Sequence, residues 1–165
     1  MNFHKKGLCC AVLAGLLLFS GCSAPSGGTS QKQEGLLDPE KPVTITVWTY
    51  YNGQQLSSFN ALVEKFNTTV GLEQGIFVES MSQGSVTDLE ANVLSAAQGK
   101  AGAGEVPNIF AAYVDTAYTL DQMGLVADLT PYLTQEEQDA FVDSYIDEGR
   151  FSGDDSVKIF PVAKS

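Results

Sequence analysis

The chain has 165 residues, 44% of them hydrophobic and 18% charged, and 20 acids against 9 bases leave a formal charge of −11. Such a composition excludes disordered, collagen-like and disulfide-built classes. Three cysteines, Cys9, Cys10 and Cys22, and the single histidine, His4, all fall in the opening 22 residues, so the body lacks the commonest catalytic base and the thiol and imidazole ligands of metal centres.

In chain order, the first feature is an export signal. Lys5 and Lys6 precede an apolar run from Leu8 to Phe19, which is followed by Ser20, Gly21 and Cys22. A permanent span needs about 20 apolar residues, and this run stops short of that. Phe19-Ser20-Gly21-Cys22 resembles the bacterial lipobox, whose cysteine is acylated after cleavage, although Phe19 replaces the usual Leu. The expected organisation is a signal over residues 1–21, a lipidated Cys22 with a flexible tether over 22–42, and a folded lobe over 43–165. Acyl chains contribute about 0.8 kcal/mol per buried methylene, so the chain is expected at the outer face of the cell membrane, anchored there and not spanning it. Cleavage before Cys22 removes two bases and no acids, leaving a charge of −13. A surface so acidic excludes nucleic acid as a partner, because that binding requires a basic face that releases phosphate counterions.

Residues 23–42 are rich in Ser, Gly, Pro and charge, the composition of a linker. Val43 to Tyr50 is β-branched and aromatic with apolar residues on both faces, which predicts a central parallel strand. After Asn52-Gly53, the residues Leu56, Phe59, Leu62, Val63 and Phe66 form one helical stripe, expected to be core. Ile76 to Ser80 reads as a second strand, and Ser85 with Asp88 as a helix start ahead of Val86, Leu89, Val93 and Ala97. A loop from Gly99 to Pro107 leads to a third strand over Asn108 to Tyr113. Asp115 is placed to cap a helix running to Met123, and Gly124 to end it. Leu125 and Val126 read as buried. Thr134 with Glu137 opens a last helix through Phe141, Val142, Tyr145 and Ile146 towards Gly149, and Phe151 to Val162 suggests a hairpin. Repeated strand and helix units predict an α/β fold with an open, mostly parallel sheet and flanking helices. Strand-like apolar residues continue almost to Ser165, so a truncated lobe is expected.

Several chemistries fail on spacing. Gly99-Lys100 is no phosphate loop, because Leu94 stands where that motif needs glycine. Gly102 and Gly104 precede a strand, whereas a dinucleotide turn follows one. A glycosidase needs two carboxylates about 5 to 10 Å apart at strand ends, and only Asp115 has such a position. Asp154 and Asp155 read as solvated turn acids. No catalytic group, metal or cofactor is expected.

What remains is a set of polar and aromatic residues where the strands end. The first strand supplies Trp48, Tyr50, Tyr51 and Asn52, the second Gln83 and Gly84, and the third Tyr113, Asp115 and Thr116. Ligands of open parallel sheets lie in the crevice beyond the carboxyl ends of the strands. Rings that stack on C–H faces, beside amides and a carboxylate that pair with hydroxyls, suit a sugar. Trp48 also reads as core, Asp115 first as a helix cap, and Tyr118 as packing against the sheet.

The signal and lipobox, ITVWTYYN, EKFN, SQGS, VPNIFAAY, MGLVADLTPYL and IFPVAKS in this order resemble ABC-transporter extracellular solute-binding proteins, and most nearly family 1, the sugar-binding type. The resemblance implies a periplasmic-binding-protein type II-like fold of two α/β lobes joined by a hinge, of which this chain would hold the first lobe, incomplete. It implies a non-catalytic, monomeric receptor that passes a mono- or oligosaccharide to ABC permease subunits, with glycerol 3-phosphate or a peptide as other ligands of the class and a glycan-degrading enzyme as the alternative from outside it. PVAKS is similar to the stretch entering the hinge, which implies a ligand contact at Ser165.

Overall fold

The computed structural model describes residues 37–151 and 153–162. The export signal, Cys22, most of the tether and Ser165 lie outside the described residues. Among those described, no helix is long and apolar enough to cross a membrane.

Strand β1 (Val43–Thr49) is the middle of a three-stranded parallel sheet. Strand β2 (Ile76–Ser82) runs beside it from Val43↔Ile76 to Thr49↔Ser82. Strand β3 (Ile109–Phe110) flanks only its far half, at Val47↔Ile109 and Trp48↔Phe110. Burial along β1 follows from this. Val43 and Thr44 are exposed, while Val47 and Trp48, flanked on both edges, are buried, as is Thr49 after them. β2 is two residues longer than the sequence suggests, and β3 is shorter than the expected 108–113. Asn108 meets β1 through its side chain: Oδ1 accepts from Thr46 N at 2.9 Å and from Thr46 Oγ1 at 3.0 Å. Ladder pairing closes at Ala111, whose N–H donates to the Trp48 carbonyl at 3.0 Å, and the chain then turns into a helix.

Helix α1 (Gly53–Thr68) packs along β2 and contributes no buried residue. Phe59 and Phe66 are half-buried and Leu62 is 65% exposed, which corrects the expectation of a core stripe. The reason is position, because a helix laid on an edge strand has solvent on its outer flank. That edge is closed by Asn67, whose Nδ2 donates to the Val78 carbonyl and whose Oδ1 accepts from Val78 N, each at 2.8 Å. An asparagine here stands in for a further strand, covering groups that would otherwise template pairing with another chain. A short helix, α2 (Val70–Gln74), follows that the sequence reading did not foresee. Gly75 leaves it at φ 71°, and a Cβ there would collide with the Asp38 backbone. Residues 38–42 therefore already lie against the folded body, and Val43 N donates to the Gly75 carbonyl at 2.9 Å.

Helix α3 (Val86–Ala97) starts as expected, with Ser85 Oγ accepting from Asp88 N at 3.1 Å. It brings Leu89, Val93 and Ala96 into the central cluster with Trp48 and Leu120. Each large apolar side chain so enclosed contributes about 1.5–3 kcal/mol. Helix α4 (Val114–Gln122) supplies Leu120 and the buried Ala117. It is capped at Tyr113, so Asp115 is its second residue and not its cap; Asp115 Oδ1 accepts from the next amide, Thr116 N, at 2.8 Å. Gly124, at φ 71°, ends the helix, donating to the Asp121 carbonyl while Leu125 N reaches Leu120 O. Leu125 is 47% exposed, against expectation, and Val126 is half-buried.

The predicted last helix divides in two. After a single 3-10 turn (Thr130–Tyr132), α5 (Gln135–Asp139) carries the full Thr134/Glu137 capping box, and α6 (Asp143–Asp147) follows an extended Val142. The break sets Phe141 against Phe160, with ring centroids 5.1 Å apart, while Ile146 is 5% exposed. Residues 157–162 form no strand, so the expected hairpin is absent among the described residues. They are tied instead by single bonds, Leu129 N to Val157 O at 2.8 Å and Lys158 N to Gly149 O at 2.9 Å. Tyr118 packs edge-on against Phe151, centroids 6.1 Å apart, and is 47% exposed rather than laid on the sheet.

Candidate functional site

The carboxyl ends of β1 and β2 open into two turns that are bonded to each other. Asn52 donates through Nδ2 to the Tyr50 carbonyl at 3.0 Å and to the Gly84 carbonyl. Ser82 Oγ donates to the Tyr51 carbonyl at 2.7 Å and accepts from Gly84 N at 3.2 Å. Both turns are therefore held in a fixed relation before any ligand arrives. The two amide hydrogens of Asn52 are spent on this staple, which leaves its Oδ1 as the group free to face outward.

Three aromatic rings, Tyr50, Tyr51 and Phe59, meet in series next to the staple. Tyr50 and Tyr51 meet edge-to-face with centroids 5.3 Å apart, and Tyr51 meets Phe59 in the same way at 5.3 Å. The Tyr50 phenol is held above its ordinary value by burial, with further contributions from Tyr51 and Tyr113. A phenol hydroxyl can both donate and accept a hydrogen bond. Tyr113 is 52% exposed, Asp115 is exposed, and Thr116 is only 7% exposed, turned inward on the first turn of α4.

Trp48 and Gln83 also line a pocket beside these turns. Trp48 is 9% exposed and part of the core cluster, yet its indole borders this pocket, of about 270 Å³, with Gln83, Asn92, Ser95 and Gly104. Gln83 Oε1 accepts from Asn92 Nδ2 at 2.8 Å. The sequence reading did not select Asn92, Ser95 or Gly104. A signal existed in the polar pair Asn92 and Ser95, each one place before an inward residue of α3, Val93 and Ala96. A larger groove of about 400 Å³, bordered by Asn60, Val63, Asn67 and Phe77, follows the seam between α1 and β2, away from the strand ends. At the end of β1, Thr49 is 3% exposed and its Oγ1 has no partner among the described residues.

No lysine or arginine borders the 270 Å³ pocket. Among the described residues no cluster of acids, cysteines or histidines could hold a metal ion. What the strand ends present is a set of phenols, amides and hydroxyls with one exposed carboxylate, Asp115.

No family model matches the chain, and no curated protein does. Solved structures do. The cyclic α-maltosyl-1,6-maltose binding protein from Arthrobacter globiformis superposes with a TM-score of 0.57 at 20% identity, over 68% of this chain and 27% of its own. The maltotriose binding protein of Thermus thermophilus, bound with maltotriose, gives 0.52 at 20% identity, over 69% of this chain and 28% of its own. A family 1 extracellular solute-binding protein from Bifidobacterium longum subsp. infantis gives 0.52 at 16% identity, over 72% of this chain and 27% of its own. The fold is thus an α/β lobe of solute-binding-protein type, and the chain spans little more than a quarter of the length of the proteins it matches.

Proposed function

We propose that this chain is the first-lobe portion of an ABC-transporter solute-binding protein of family 1, a non-catalytic receptor for carbohydrate. The observation that supports the reading is the pairing of Tyr50 and Tyr51 on a pair of turns fixed to each other by Asn52 and Ser82, in a fold shared with proteins described as binding maltose- and maltotriose-type sugars. Sugar rings present C–H faces to aromatic rings and hydroxyls to amides and phenols, and the site supplies both. A phosphorylated ligand would call for cationic partners, and none borders the pocket beside these turns.

In this reading Tyr50, Tyr51, Asn52, Gly84, Tyr113 and Asp115 form one wall of a cleft, and Trp48, Gln83 and Thr116 support it from behind. A second lobe supplies the opposite wall, Ser165 marks the approach to the hinge, and lobe closure excludes water and creates the surface that permease subunits engage. Lipidation at Cys22 holds the receptor at the extracytoplasmic face of the membrane, where it acts as a monomer.

Saccharide binding to the chain extended past Ser165 tests this. At a hundredfold excess over the dissociation constant, ligand should stabilise the folded state by about 2.7 kcal/mol, read as a rise in melting temperature. A panel of mono- and oligosaccharides that leaves the melting temperature unmoved overturns the reading, and so does release of product from glycan by the purified protein.

A further inference from the structure

Asn52 is the only asparagine of the chain followed by glycine, and the pair lies at the staple that joins the two strand-end turns. A side-chain amide in this position is open to one particular reaction. The backbone nitrogen of the next residue attacks the amide carbon, a five-membered imide ring closes, and ammonia leaves. Glycine favours the attack because it has no side chain to crowd that nitrogen. Asn2, Asn60, Asn67, Asn92 and Asn108 precede Phe, Ala, Thr, Val and Ile, each of which carries a Cβ beside the nucleophile.

The structure leaves the nucleophile bare. Gly53 is the first residue of α1, where an amide has no acceptor within the helix, and its nitrogen makes no hydrogen bond among the described residues. Asn52 and Gly53 are both exposed, and a Cβ added to Gly53 would meet nothing within 4 Å. The electrophile, in contrast, is tied back. Asn52 Nδ2 donates to the carbonyls of Tyr50 and Gly84. The Asn52 backbone is extended, at φ −135° and ψ 162°, so its Cβ and the Gly53 nitrogen are not eclipsed about the Cα–C bond, as closure of a five-membered ring requires.

We propose that Asn52 is a site of spontaneous deamidation guarded by its own staple, which reacts when the two turns part. The Gly53 nitrogen then bonds to Asn52 Cγ and the Cγ–Nδ2 bond breaks. The departing amine takes the proton that the Gly53 nitrogen carried and leaves as ammonia. Water opens the imide at one carbonyl or the other, giving aspartate or isoaspartate at position 52. Neither carboxylate has a hydrogen to donate to the two carbonyls, so the staple does not re-form, and isoaspartate also adds a methylene to the main chain just ahead of α1. The change is one-way, and its chemistry does not depend on what the cleft binds.

The chain is warmed in mildly alkaline buffer, folded or unfolded in guanidinium chloride, and its proteolytic fragments are followed by mass and isoaspartate content. Asn52 should convert before any other asparagine. Its two hydrogen bonds should make conversion in the folded chain about fivefold to thirtyfold slower than in the unfolded one. Ser82→Ala, which removes the companion bond to the Tyr51 carbonyl, should speed the folded-state reaction about twofold to tenfold, with circular dichroism establishing that the variant is folded. Equal rates in the folded and unfolded chain, or no acceleration in folded Ser82→Ala, overturn the guarding role of the staple. No conversion at Asn52 in the folded chain over about thirty half-lives of the unfolded reaction overturns the site itself. Each readout is a covalent change, so failure here leaves the receptor reading standing.

Discussion

Asn52 is the residue on which the arrangement of the strand-end turns depends, and its replacement gives the sharpest test. It stands at the N-cap position of α1 but makes no cap hydrogen bond. Its Nδ2 bonds instead to the carbonyls of Tyr50 and Gly84, joining the two turns. Asn52→Ala removes both bonds. Each contributes about 0.5–1.5 kcal/mol net, and water reaches the freed carbonyls in so open a place, so the total loss is about 1–2 kcal/mol. With a urea slope of about 1.5 kcal/mol/M, the unfolding midpoint should fall by about 0.7–1.3 M with the slope unchanged. Asn52→Asp separates the staple from a capping role. Asn and Asp are equivalent as caps, but aspartate offers no donor to two carbonyls, so the staple requires this variant to be clearly less stable than the parent. A midpoint for Asn52→Asp equal to that of the unaltered chain refutes the reasoning. Loosened turns should also weaken saccharide binding, even though the lost hydrogens of Asn52 point at the protein and not at the ligand.

Two further outcomes follow from charge. Lys158 Nζ lies 3.3 Å from Asp121 Oδ1, and both side chains are only 12% exposed. Lys158→Met withdraws the cation from an enclosed carboxylate and should cost about 2–4 kcal/mol; a change in urea midpoint worth less than about 0.5 kcal/mol would class the pair with ordinary surface bridges. In acid, three carboxyls sit below their ordinary range. Asp128 is held there by the Thr130 hydroxyl and amide, Glu137 by the Thr134 amide and hydroxyl, and Asp154 by the Ser156 hydroxyl and amide. A carboxyl with a depressed folded value contributes stability that is fully present above its unfolded value, about 4, and is lost as pH falls through the folded one. Melting temperatures should therefore hold above about pH 5 and decline below about pH 4, with Glu137→Gln reducing the decline. A melting temperature constant from pH 5 to pH 2 would contradict this assignment.

Local rules made much of the lobe legible. Ser85 with Asp88, Thr134 with Glu137, and Gly124 all mark the helix ends they were expected to mark, because capping chemistry acts within four residues. The β-branched run from Val43 gave away the central parallel strand for a similar reason, as its apolar residues occupy both faces. Errors began where a neighbour decides. Leu62 and Leu125 carry the right periodicity but face solvent, and the pattern alone does not say whether anything covers a stripe. The helix expected from Thr134 to Gly149 breaks at residues 140–142, where Phe141 meets Phe160, nineteen positions away.

The candidate site divides along the same line. Which residues stand at the strand ends could be read from the chain, since strand termini and turn residues are local features. Its arrangement could not. Asn52 and Gly84 are 32 positions apart, yet one hydrogen bond joins them, and Trp48 with Gln83 borders a pocket completed by Asn92 and Gly104. Composition and short-range pattern determine which groups are available. Which of them face one another is decided by the parallel register of β1 and β2, because pairing Thr49 with Ser82 is what lays two distant turns side by side.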